Sequence, residues 1–202
     1  MNNLYTIKCE VTSVYIDRGS RFVGYLVPLT SVENFKSTLK AKREKYKDSS
    51  HICSAYRVFN NKILDEKSSD DGEPAGSSGL PMLNELKRKK LVNVGVFVIR
   101  YFGGKKLGIS GLVHAYSESV NRCISSSRVI KWYFSTKCLA IHTYANTKKI
   151  DFLIKRYEGE LLNREFNLLV ESKIKINDDI LLNFKKEINS SRLLETEISE
   201  IK

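Results

Sequence analysis

Apolar positions are densest at Leu91–Ile99, a β-branched run broken only by Asn93 and Gly95, which predicts a strand covered on both faces. Leu112–Ser127 has a different rhythm. Leu112, Ala115, Tyr116, Ser119, Val120, Cys123 and Ile124 fall on one stripe of a helix, with His114, Glu118, Asn121 and Arg122 opposite. Between them lies Arg100-Tyr101-Phe102-Gly103-Gly104-Lys105-Lys106-Leu107-Gly108-Ile109-Ser110-Gly111, with four glycines among its last nine residues. Such a loop allows φ > 0 and presents main-chain N–H groups at a helix start, an arrangement suited to an anion. The same residues also fit a packed corner whose glycines serve only the turn. The spacing matches neither a nucleotide P-loop nor a dinucleotide fingerprint.

Taken in order, Thr6–Ile16 alternates as a half-buried strand, and Arg21–Val27 returns after a turn at 17–20. Ser31 is the expected N-cap of a helix reaching Lys47, with Val32, Phe35 and Leu39 inward. Lys36, Lys40, Arg43 and Lys47 then form an outward basic stripe about 16 Å long. Ile52–Phe59 reads as a strand carrying Arg57. Residues 66–81 read as a long loop rich in Ser, Gly and acid, and Met82–Lys90 as a helix. After Arg128 the character changes. A strand at 138–144, a helix at 148–157, a hairpin from 160–166 and 168–176, a helix opened by Asp178 and a closing strand at 193–198 give βαββαβ, the ferredoxin-like order. A boundary is expected at Lys131–Lys137.

The 202 residues are 42% hydrophobic and 28% charged, as in ordinary water-exposed domains. No apolar run approaches the ~20 residues that span a bilayer, and residues 1–8 lack the layout of a signal peptide, so a cytoplasmic protein with no membrane partner is expected. Of the formal charge of +11, nearly all falls before residue 137, where 22 Lys and Arg face 12 Asp and Glu. That part should attract polyanions. Cys9, Cys53, Cys123 and Cys138 form no CxxC, and His51-x-Cys53 lacks further ligands, so no metal and no cofactor is expected.

Two polar loops carry the candidate chemistry. Arg100, Gly103, Gly104, Lys105 and Lys106 could seat phosphate, with Arg57, Lys36, Lys40, Arg43 and Lys47 as extensions provided that helix and loop share a side of the fold. Tyr101 or Phe102 could stack a base, although aromatics at a strand end are commonly core. Asp70, Asp71 and Glu73 could hold a divalent cation or act as acid and base, which would make the chain a phosphoryl or phosphoester enzyme; they also fit a solvated loop.

Several ordered blocks go further. Ser20-Arg21-Phe22-x-Gly24-Tyr25, His51-x4-Tyr56-Arg57, residues 68–76, Gly79–Leu83, Arg100-Tyr101-Phe102-Gly103-Gly104-x-x-Leu107-Gly108 and Gly111–Ser117 closely resemble the YigZ/IMPACT family over residues 1–130. Ser110 stands where the family often has glycine, and His114 where it often has arginine. The resemblance implies an α+β chain. Residues 1–132 would form an N-terminal domain of the ribosomal protein S5 domain 2-like kind, a four-stranded sheet backed by helices. Residues 137–202 would form a ferredoxin-like domain similar to the fifth domain of elongation factor G. Eukaryotic members regulate translation initiation through protein partners. The resemblance therefore implies a non-enzymatic, translation-associated protein whose partner is RNA, a ribosome-associated component or another protein.

Overall fold

The computed structural model describes residues 3–190 and 197–201 of an α+β chain. It divides into two compact units, residues 1–132 and 133–202.

In the first unit, β2 (Val11–Asp17), β3 (Ser20–Pro28), β6 (Val94–Tyr101), β4 (His51–Asn60) and β5 (Ile63–Ser69) form one antiparallel sheet in the order β2-β3-β6-β4-β5. A separate ribbon joins β1 (Leu4–Ile7) to β7 (Val129–Trp132). The central strand β6 is covered on both faces, as its composition predicts. Val94, Val96 and Val98 pack under α2 (Gly79–Arg88) and α3 (Gly108–Ser126) in one core. Phe97 and Ile99 face α1 (Val32–Lys45) in another, where Phe35 stacks on Phe97 with ring centroids 5.0 Å apart. Period-two alternation sends successive side chains to opposite faces, so one strand serves two cores.

Several expectations need correction. The sheet has five strands, not four, because the polar stretch Ile63–Ser69 pairs along β4 as an edge strand. That shortens the acidic loop to 70–78, and α2 starts at Gly79 rather than Met82. The stretch 6–16 is two strands. Helix α1 ends at Lys45, with Tyr46 as its C-cap, so Lys47 is not on the helix. Ser31 does cap it, its hydroxyl accepting from the Asn34 amide at 3.1 Å. The inward stripe of α3 is the predicted one, and all seven of its residues are buried.

In the second unit, β8 (Ser135–His142), α4 (Thr147–Arg156), β9 (Glu160–Phe166), β10 (Val170–Asn177), α5 (Asp178–Ser190) and β11 (Glu197–Ile201) follow one another as βαββαβ. The sheet order β11-β8-β10-β9, antiparallel throughout, is the ferredoxin-like arrangement. Of the closing strand expected at 193–198, residues 193–196 lie outside the described residues.

Candidate functional site

Strand β6 ends in Arg100, whose even parity with Val94, Val96 and Val98 turns it toward the α2–α3 face. There it meets the acidic loop: Arg100 Nη1 donates to Glu73 Oε1 at 2.6 Å, and the Tyr116 hydroxyl of α3 donates to the same oxygen at 2.8 Å. Both partners of the ion pair are buried, their side chains 7% and 3% exposed. The Arg100 guanidinium carbon lies 5.5 Å from the Phe22 ring centroid and 5.6 Å from that of Phe102. Two loops 27 residues apart in sequence are thus clasped by one desolvated charge pair and a phenol. The Cys53 thiol sits 3.2 Å from the Tyr116 oxygen and 3.0 Å from the Asp70 carbonyl oxygen. Burial pushes its pKa up to about 12, and burial likewise raises that of Tyr116.

The glycine loop leaves β6 under two constraints. Gly103 crosses the β2–β3 turn so closely that a Cβ would lie 1.9 Å from the Gly19 carbonyl carbon, which only glycine permits. Its N–H donates to Ser20 Oγ, and that of Phe102 to Ser50 Oγ, each at 3.2 Å. Beyond this crossing the chain opens. Gly104 and Gly108 take φ of +84° and +75°. Among the described residues, no acceptor takes the N–H of Gly104, Lys105, Lys106, Gly108 or Ile109, and no side chain caps α3. Gly104, Lys105 and Lys106 are exposed. A cleft of about 380 Å³ lies beside them, lined by Glu73 and Pro74 of the acidic loop and by Arg100, Phe102, Lys106, Leu107, Gly108, Ile109 and Leu112.

The acidic residues are engaged by the protein itself. Asp70 accepts from the Ser78 hydroxyl at 2.7 Å and from the amides of Gly79, Gly76 and Ser78 at 2.8, 2.9 and 3.1 Å. Burial works to raise its pKa, but these donors outweigh burial and hold the carboxyl below its ordinary value. Asp71 accepts from the Ile52 amide at 2.8 Å and from Arg43 at 2.7 Å, and its carbonyl oxygen lies 2.8 Å from His51 Nδ1. Both carboxylate oxygens of Asp70 and Asp71 and Oε1 of Glu73 are taken by donors, so the three do not present a cation with a ready set of free ligands.

The other cations are scattered. Arg57, 9% exposed, donates to Glu66 at 3.0 Å and to the Leu91 carbonyl oxygen at 2.9 Å. It pairs with Val94 across the sheet, whereas Arg100 pairs with His51, so the two arginines occupy opposite ends, about 20 Å apart at ~3.4 Å per residue. Arg57 is thus engaged by Glu66 and Leu91 and is not brought together with the glycine loop. The stripe of Lys36, Lys40 and Arg43 belongs to α1, on the face of the sheet opposite α3. The condition that helix and loop share a side is not met. Lys36 instead lines a separate groove with Phe35, Tyr56 and Lys67, while Arg43 is tied to Asp71. Tyr101 is half-buried against the α1 core, whereas Phe102 is 50% exposed at the mouth of the cleft. Phe102 was read as one of two aromatics that could stack a base, whereas Ile109 of the rim and the phenol of Tyr116 were not singled out as site residues. An apolar side chain in a glycine loop is a weak signal, and Tyr116 reads from its spacing as core.

Residues 18–124 match the Impact N-terminal domain. The chain belongs to the IMPACT family. IMPACT family member YvyE of Bacillus subtilis is 32% identical over 184 residues, 86% of this chain and 82% of its own. IMPACT family member YigZ of Escherichia coli is 30% identical over 79% of both chains. A crystal structure of a hypothetical protein superposes with a TM-score of 0.65 at 26% identity, covering 100% of this chain and 98% of that one. The IMPACT match spans both loops and the clasp between them. No described helix is long and apolar enough to cross a membrane.

Proposed function

We propose that this IMPACT family protein is a translation-associated regulator that engages RNA or a ribosomal surface by seating phosphate at the start of α3. The observation that carries the reading is the open end of that helix: the amides of Gly104, Lys105, Lys106, Gly108 and Ile109, unpartnered among the described residues, with Lys105 and Lys106 exposed beside them. Helix dipole, free N–H groups and two exposed cations favour the same ligand, a negatively charged oxygen. The link to translation is inferred from family membership, whose eukaryotic branch the sequence resemblance connects to translation initiation. Phosphate contacts of this kind give affinity without sequence preference and weaken with salt.

The reading is tested by RNA and ribosome binding across a salt series with the purified full chain. Lys105→Ala together with Lys106→Ala should weaken binding and reduce the slope of log affinity against log salt by about one to two. Absence of binding at low salt, or an unchanged slope, would refute it. Association that survives nuclease treatment would favour a protein partner instead. The enzymatic alternative is not favoured, because donors already occupy both carboxylate oxygens of Asp70 and Asp71 and Oε1 of Glu73.

A further inference from the structure

We infer that the cleft between the acidic loop and the start of α3 takes a single nucleotide carrying a terminal phosphomonoester, the end of an RNA strand, rather than internal phosphodiester backbone. The inference rests on the phosphate-binding reading above and specifies which phosphate.

The shape argues for an end. At about 380 Å³ the cleft is at the small end of ligand sites, which run to ~300–1,000 Å³, whereas grooves that track a strand extend over ~4–16 nucleotides. Its bottom is closed by Arg100 and Glu73, 6% and 8% exposed, and its mouth is marked by Phe102 and Ile109, 50% and 64% exposed. Internal backbone would have to enter and leave on the side of Phe102 and Ile109, because the lining at the Arg100–Glu73 end is buried.

The donors argue for a monoester. Glu73 Oε1 is occupied by Arg100 and Tyr116, so the floor is a neutralised pair. The attraction left over comes from the uncapped α3 terminus, Lys106 and the Arg100 Nε, which is buried without a hydrogen-bond partner. A buried donor without an acceptor is uncommon and costs stability. A terminal phosphate near neutral pH carries close to two charges and three acceptor oxygens, enough to serve helix amides, lysine and Nε together. An internal phosphodiester has one charge and two free oxygens, with both ester links needing a way out.

The rim argues for a base attached to that phosphate. Phe102 is exposed, with the Arg100 guanidinium 5.6 Å from its ring centroid, and Leu107 and Leu112 continue an apolar wall. Such a wall contributes nothing to inorganic phosphate, but an aromatic face supports a stacked base of any identity.

The test uses the full chain and one short single-stranded RNA in three forms: 5′-phosphorylated, 3′-phosphorylated and hydroxyl at both ends. Binding is read by fluorescence anisotropy, with adenosine monophosphate and adenosine as competitors. At least one phosphorylated end should bind about tenfold more tightly than the hydroxyl form, the scale of one charge-assisted contact, and the monophosphate but not adenosine should compete. Which end is preferred, and whether the free nucleotide suffices, identifies the source of the phosphomonoester. Phe102→Ala removes an exposed side chain, should leave the melting temperature unchanged, and should reduce the preference to below about threefold. Equal binding of all three forms, or a preference that survives Phe102→Ala, overturns the inference while leaving general RNA binding intact. Binding of the monophosphate without any RNA binding keeps the cleft as a nucleotide site but overturns the RNA assignment. Failure to bind either overturns both.

Discussion

Helices α2 and α3 both begin after a glycine-containing polar loop, both lie on the same face of the sheet, and their starts differ in one respect. At α2 the chain supplies its own anion. Asp70, the first residue of its loop, folds back to take the Ser78 and Gly79 amides and the Ser78 hydroxyl. At α3 the chain supplies none, and lysines stand where a carboxylate would be expected. A helix start satisfied from within is architecture; one left open beside cations is a place for something from outside. The contrast also separates the two loops, both polar and glycine-rich, by what answers their charges. Within the acidic loop Asp70 holds the loop and the start of α2, Asp71 reaches Ile52 of β4 and Arg43 of α1, and Glu73 reaches Arg100 as a clasp.

The largest expected effect comes from breaking that clasp. Glu73→Ala leaves Arg100 buried without its counter-charge and should cost about 3–5 kcal/mol in a denaturant titration. Replacing both partners with apolar residues, Glu73→Leu and Arg100→Met, should recover much of the loss, because neither charge then needs compensation. A single-variant cost below about 1 kcal/mol would mean that the two loops are held by other contacts.

Next in size is the self-capping of α2. Asp70→Asn loses the charge that several donors converge on and should destabilise by about 1–3 kcal/mol at neutral pH. The pH dependence has a definite sign. A carboxyl whose folded-state pKa is lowered contributes stability that is fully present above its unfolded value, near 3.9, and is lost as pH falls through the folded value. The gap between wild type and Asp70→Asn in thermal melts should therefore narrow below about pH 4 and be constant above about pH 5. A gap that widens in acid would show that Asp70 does not cap α2 as a carboxylate.

What the sequence could reveal follows the same division. The stripe of α3 and the Ser31 cap were legible because helical period and capping chemistry are local rules. Strand β5 was not, since Ile-Leu-Asp-Glu-Lys-Ser-Ser has little apolar signal and its pairing partner is supplied by β4. Missing β5 also hid the neutraliser of Arg57, because Glu66 sits directly across from it in the register. Basic residues were easy to find, but which were already paired depended on contacts such as Arg100–Glu73, Arg57–Glu66 and Arg43–Asp71, separated by 27, 9 and 28 residues. The lysines of the glycine loop stood out for the opposite reason: no acidic residue is near them in sequence, and among the described residues neither forms an ion pair. The stripe on α1 was correctly spaced as far as Arg43, yet no periodicity within one helix indicates which face of a sheet it covers.

The smallest effect is the sharpest test of the comparison, because it gives α3 what α2 already has. Ser110 is exposed in the first turn of α3, at the third helical position, where a glutamate can reach back to the cap amide and complement the dipole. Ser110→Glu should raise stability by about 0.3–1 kcal/mol, read as a small upward shift in melting temperature at low ionic strength that fades with added salt. The same carboxylate would occupy the amides assigned to phosphate and place a negative charge beside the cleft, so RNA affinity should fall even as the fold is strengthened. Ser110→Gln offers a similar reach without the charge and should fall between glutamate and serine on both measurements. A stabilising glutamate that leaves binding unchanged would place the phosphate elsewhere on the basic surface. A destabilising one would mean that the start of α3 is already satisfied, and the difference between the two helices would disappear.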